Sequence, residues 1–96
     1  MQSYTAKFDQ KLWGKMKALS DLQNQKMGDW LSSAALKNID RISVKIYQEN
    51  ENYKTKRIEI KTKAHQKLKN KAYYADYTIR DIIQSIVEFE LKEFKL

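Results

Sequence analysis

Apolar and polar positions alternate with period two over residues 3–8. Tyr4, Ala6 and Phe8 fall on one side and Ser3, Thr5 and Lys7 on the other. That period predicts a strand with two unlike faces. The period changes at Asp9, whose short carboxylate can accept from the free amides of a helix's first turn. Leu12, Met16 and Leu19 then recur at i, i+4 and i+7, the stripe of an amphipathic helix that ends near Asn24 or Gln25. A second helix is predicted over about residues 27–39, with Met27, Trp30, Leu31, Ala34 and Ala35 on its buried stripe.

The same order returns later in the chain. Arg57-Ile58-Glu59-Ile60-Lys61-Thr62 alternates, residues 63–76 form a lysine-rich segment, Tyr77-Thr78 is a break, and residues 79–91 are strongly apolar-periodic. Shifting the first unit by 52 positions lays Phe8 on Ile60, Met16 on Leu68, Ser20 on Ala72, Asn24 on Asp76, Met27 on Ile79, Trp30 on Ile82 and Leu31 on Ile83. Lys11, Lys15, Lys17, Asp29 and Ser33 fall on identical residue types at Lys63, Lys67, Lys69, Asp81 and Ser85. Leu12 against Ala64 and Leu19 against Lys71 are the poorest matches. Internal repetition predicts a two-fold arrangement. The expected organisation is one domain over residues 1–96, with units at 3–39 and 55–92 and a connector at 40–54.

Two arrangements fit the connector. Ile42, Val44 and Ile46 alternate with Ser43 and Lys45, and Glu49-Asn50-Glu51-Asn52 is a turn-like polar run. Residues 41–47 are either an extra strand, paired as a hairpin with residues 53–61, or an extended link that returns the chain to the start of the second unit.

Composition narrows the function. A chain of 96 residues has a limited core and often relies on a staple or a partner. Without cysteine it has no disulfide or thiolate metal site, and nothing points to an oxidising compartment. Without proline, and with Gly14 and Gly28 its only glycines, it favours helix. Lysine and arginine number 19 against 12 acids, a net charge of +7 that favours a polyanionic partner. There is no apolar run of about 18 residues to cross a membrane. The start, Met1-Gln2-Ser3-Tyr4, lacks the basic and apolar regions of a signal peptide, so a cytoplasmic protein with no membrane partner is expected. His65 is the single histidine. No Gly-rich phosphate loop, HExxH or nucleophile motif occurs, so no enzyme, cofactor or metal is expected.

Strand, helix, turn, helix at these lengths resembles the ribbon-helix-helix family, which includes the Arc and Met repressors. The second unit resembles it more closely, through Arg57-Ile58-Glu59-Ile60-Lys61, Leu68, Ala72 and Thr78-Ile79-Arg80-Asp81-Ile82-Ile83. The first carries Lys26-Met27-Gly28-Asp29-Trp30-Leu31, with lysine in place of the hydroxyl. Two units in one chain resemble the tandem form found among DNA-binding accessory proteins of conjugative plasmid transfer. The resemblance implies a mainly α fold with a short antiparallel β-ribbon, the two units forming an intramolecular pseudo-dimer.

It also implies a double-stranded DNA partner. A two-stranded ribbon fits the major groove and can read base edges. The outward set is Ser3, Thr5 and Lys7 with Thr55, Arg57 and Glu59, backed by an inward set of Tyr4, Ala6, Phe8, Ile58 and Ile60. Lys7 and Arg57 can donate to guanine, Thr5 and Thr55 can touch a thymine methyl, and Glu59 can accept from cytosine or pair across the ribbon. Phosphates are expected at the amides opening each second helix, around Met27-Gly28 and Ile79-Arg80, with Lys26 and Thr78 adding to the hold and Lys11 and Lys63 flanking the groove. Lys15, Lys17, Lys67, Lys69 and Lys71 read as a solvated helix face supplying general field. Trp30 reads as core, and Tyr73, Tyr74 and Tyr77 as packing around the inter-helix turn.

The expected role is a relaxosome accessory factor, with a relaxase or coupling protein as partner, or a small repressor. The molecule is expected to be monomeric and to associate along DNA. Two other roles stay open: a protein-interaction module or inhibitor from a phage or mobile element, and an RNA-binding protein.

Overall fold

The two alternating stretches pair with one another. In the computed structural model, which describes residues 1–94, β1 (Gln2–Asp9) and β2 (Tyr53–Ile60) form an antiparallel two-stranded sheet. Its register sets Ser3 against Glu59, Thr5 against Arg57 and Lys7 against Thr55 on one face. Four helices lie against the other face: α1 (Gln10–Leu22), α2 (Met27–Asn38), α3 (Thr62–Ala75) and α4 (Ile79–Phe94). The chain is thus mainly helical with a short antiparallel ribbon. Residues 95 and 96 lie outside the described part.

Local chemistry explains where the helices begin and stop. Asp9 caps α1, its Oδ1 accepting from the Lys11 amide at 2.9 Å. The turns after α1 and α3 contain Asn24 and Asp76, both at positive φ, 54° and 60°. Asn and Asp tolerate this left-handed conformation better than other side-chain-bearing residues. They are also the pair that the 52-position shift superposes. The same interval separates the first residues of α1 and α3, and those of α2 and α4.

The halves interlock. α2 packs on β2 and α3, whereas α4 packs on β1 and α1. Two hydrogen bonds fix this exchange. Gln84 Oε1 accepts from the Asp9 amide at 3.0 Å, and Ser32 Oγ accepts from the Lys61 amide at 2.9 Å. In each case a second helix satisfies the orphan amide where the other half's strand gives way to its helix. One core results, drawing Phe8, Leu31, Ile60, Leu68, Ile83 and Ile86 from both halves. Trp30 belongs to it at 2% exposure. At the weak repeat positions, Ala64 is buried where Leu12 is half-buried, and Lys71 is half-buried where Leu19 is buried.

Of the two arrangements open to residues 41–47, the extended link is the one formed: the segment is no strand and runs extended over α4. The Lys45 amide donates to Ser85 Oγ at 2.9 Å and the Tyr47 amide to Asp81 Oδ1 at 3.3 Å. Ile42 and Val44 rest on the core while Ile46 is exposed, so the alternation records one side lying on a helix rather than a strand pairing. Two expectations need correction. The second strand is Tyr53–Ile60, so it starts before residue 55, the expected start of the second unit, and Lys61 lies beyond it. Tyr73 and Tyr74 do not pack around the inter-helix turn: they are 79% and 83% exposed, and Tyr77 alone of the three rests on the core.

Candidate nucleic-acid interface

The ribbon has the two faces that its alternation predicts. Ser3, Thr5, Lys7, Thr55, Arg57 and Glu59 are all exposed on the face away from the helices. Behind them Phe8, Ile58 and Ile60 are buried, and Tyr4 and Ala6 half-buried. Burial pushes the Tyr4 hydroxyl above its ordinary value, with the nearby Arg80 opposing.

The outer face carries a polar network at one end. Arg57 donates from Nε at 3.2 Å and Nη2 at 2.8 Å to Ser3 Oγ, and its Nη2 lies 3.1 Å from Glu59 Oε1. Ser3 Oγ in turn donates to Glu59 Oε1 at 2.8 Å. Glu59 therefore pairs with Arg57 along its own strand rather than standing free. At the other end, Lys7 Nζ lies 3.5 Å from Glu49 of the connector. Exposed pairs of this kind contribute about 0–1 kcal/mol, so they exchange readily for other partners.

The two helix N-termini beside the ribbon differ. At α2, Lys26 occupies the cap position and makes no side-chain cap hydrogen bond. Gly28 lies so close to β2 that a Cβ there would overlap the Glu59 carbonyl. A shallow groove of about 370 Å³ opens here, lined by Trp13, Lys26, Met27, Gly28, Arg57 and Glu59 among others. At α4, Thr78 Oγ1 accepts from the Asp81 amide at 3.0 Å, so the hydroxyl caps the helix. Arg80, half-buried at 15% side-chain exposure, stacks on Tyr53 with its Cζ 5.2 Å from the ring centroid. Its Nη1 donates to Glu49 Oε2 at 3.2 Å. This guanidinium is already engaged. Ile79 is half-buried, and Lys11 and Lys63 are exposed just beyond the strand ends.

Two features escaped sequence reading. Lys56, opposite Ala6, alternates with Ile58 and Ile60 onto the helix-side face of β2, while Lys54, opposite Phe8, is exposed. Lys56 lays its stem inward and holds its ammonium 5.9 Å from the Trp13 ring centroid. The alternation 56, 58, 60 was a signal that places Lys56 there. Glu49 looked like turn composition, and nothing in its neighbours announces that it meets Lys7 and Arg80.

Among the described residues no cluster of histidine and carboxylates gathers to hold a metal, and no helix is long and apolar enough to cross a membrane. No protein-family model, curated protein or solved structure matches the chain.

Proposed function

We propose that this chain is a tandem ribbon-helix-helix protein whose two units form an intramolecular pseudo-dimer, and that it binds double-stranded DNA sequence-specifically by setting its ribbon in the major groove. One observation carries the reading: the two strands pair antiparallel and expose Ser3, Thr5, Lys7, Thr55, Arg57 and Glu59 on the face opposite the helices. A ribbon of this width enters the major groove, and those side chains then meet base edges. The α2 and α4 N-termini lie against the ribbon and favour phosphate by dipole; α2 has no side-chain cap on its amides, whereas at α4 Thr78 takes the Asp81 amide. The net charge of +7 supplies the sequence-independent attraction. The two outer faces carry different residues, so the half-sites read differ. Between the roles the resemblance implies, a transfer accessory factor with a relaxase or coupling partner takes precedence over a repressor, because of the tandem form.

Duplex selection from a random library, followed by titration of the enriched site across salt concentrations, tests this. Arg57→Ala and Lys7→Ala should each relax the base preference and cost about 1–3 kcal/mol at the enriched site. Both residues are exposed, so the fold should persist by circular dichroism. Failure to enrich any duplex, with the protein folded, would sink the reading.

A further inference from the structure

Few cations of the described residues are paired, and what sets α3 apart is that its lysines share their helix with no acid and lie beside exposed aromatic rings. Lys7, Lys45, Arg57 and Arg80 each face a carboxylate. The four lysines of α3, Lys63, Lys67, Lys69 and Lys71, face none among the described residues, and α3 itself contains no acid. Lys63, Lys67, Lys71 and Tyr74 follow one another at one-turn spacing along a single stripe. The stripe ends at Tyr74, beside Tyr73; these two are the most exposed of the large hydrophobic side chains among the described residues.

Those rings are arranged to accept a flat partner. They meet edge to face, with centroids 5.1 Å apart and planes at 89°. In that geometry one ring keeps both faces open and the other keeps one. Beside Tyr74 a groove of about 360 Å³ is lined by Ile39, Asp40, Lys67, Asn70, Lys71 and Ala75, with Asp40 its one acid. Tyr74 lies 12 residues along α3 from its first residue, Thr62, which follows the end of the ribbon, ~18 Å at helical rise. The α2 C-terminus adjoins the same groove. A duplex on the ribbon face therefore leaves this surface free.

We propose that the exposed face of α3 is a second nucleic-acid surface, one that takes a single strand: unstacked bases lie on Tyr73 and Tyr74 while the phosphates follow the lysine stripe. Unneutralised lysines call for a polyanion, and two open aromatic faces distinguish unpaired bases from a duplex, whose bases are stacked on each other. This surface stands apart from the ribbon reading: Lys63 alone is shared with the expected duplex contacts, and Lys67, Lys71, Tyr73 and Tyr74 belong to none of them.

The test is fluorescence anisotropy with labelled oligothymidylate and oligouridylate of about a dozen nucleotides, which separates DNA from RNA as the source of the strand. Wild type should bind at low salt with quenching of tyrosine emission. Tyr73→Ala/Tyr74→Ala should weaken single-strand binding at least about tenfold, stacking being the sequence-tolerant part of such sites. The same variant should bind random duplex as wild type does, and Arg57→Ala should bind single strands as wild type does. Both tyrosines are exposed, so a folded variant is expected, checked by circular dichroism. The proposal is overturned if wild type binds no single strand, if the double variant binds as tightly as wild type, or if polyglutamate competes as well as an oligonucleotide. The last outcome would assign the surface to an acidic protein segment.

Discussion

Asn38 donates from Nδ2 to Glu90 Oε1 at 2.6 Å, and the two residues are 52 positions apart. Thr5 and Arg57, opposed in the middle of the ribbon, are separated by the same interval. A position that meets its own counterpart lies on a two-fold axis, since contacts elsewhere in an isologous arrangement join unlike positions. One such meeting is on the solvent face of the ribbon and the other is buried near the ends of α2 and α4. Together they support the proposed pseudo-dimer. Glu90 is 6% exposed, so it depends on this donor. Asn38→Ala should cost about 1.5–3 kcal/mol, the range for a hydrogen bond to a charged group, read as a lower urea midpoint at unchanged slope. Converting both residues to leucine should recover much of the loss, because an apolar pair leaves no buried carboxylate behind.

The two glycines should respond to alanine with opposite signs. Gly14 lies within α1 with no atom near the place a Cβ would occupy. Gly14→Ala should therefore stabilise by about 0.5–1 kcal/mol through helix propensity. Gly28 lies within α2, where the same propensity applies, but its Cβ would overlap the Glu59 carbonyl. Backbone cannot yield as a flexible side chain does. Gly28→Ala should lose about 1–3 kcal/mol by overpacking, despite the better helix former. Thermal denaturation of the two variants side by side separates these cases. A stabilised Gly28→Ala would mean that α2 does not rest against β2.

Periodic burial was legible in the chain, and single contacts were not. The spacing of Leu12, Met16 and Leu19 identifies α1, and Asp9 marks its start, because local periodicity and capping are written in neighbouring residues. The repeat predicts a two-fold arrangement, and the antiparallel pairing of the two alternating stretches came from the resemblance to the tandem ribbon-helix-helix form. Residues 41–47 left two arrangements open because alternation has two causes, a strand in a sheet or a chain lying with one side on a helix. Tyr73 and Tyr74 misled because aromatic residues near a turn usually pack, and no pattern in the sequence shows which side of α3 the core leaves open. The closeness of Gly28 to Glu59 and the reach of Glu49 to Arg80 are long-range contacts that depend on the final docking of α2 and α4.

Tyr47 predicts a pH dependence. Its hydroxyl is buried with no hydrogen-bond partner of acceptable geometry, and its ring lies beneath Lys45. Burial, with the Glu88 carboxylate adding, pushes it well above the ordinary tyrosine value of 10.0. As pH rises past that value, the unfolded chain releases this proton while the folded chain keeps it. The folded state then binds more protons than the unfolded one, so stability falls with rising pH. Tyr47→Phe removes the contribution. At neutral pH the variant should match or slightly exceed wild type, because an unsatisfied hydroxyl is lost. Under alkaline conditions it should lose less stability than wild type, as denaturant titrations of both proteins would read. Equal alkaline losses would place the hydroxyl in water.

Glu49 predicts the sharpest effect on duplex binding. Its two carboxylate oxygens lie 3.5 Å from Lys7 Nζ and 3.2 Å from Arg80 Nη1. Lys7 belongs to the proposed base-reading face and Arg80 to the proposed phosphate site, so a connector carboxylate stands where a DNA phosphate would. Glu49→Gln keeps the shape and removes the charge. If one more phosphate is then held, the slope of log affinity against log salt should steepen by about 0.9. Glu51→Gln is the control: it removes an equal charge from the same exposed run, and Glu51 faces no cation among the described residues. General field predicts equal gains in the two variants, whereas release of Lys7 and Arg80 predicts a larger gain and a steeper slope for Glu49→Gln alone. Matched slopes would show that the carboxylate does not compete with the duplex.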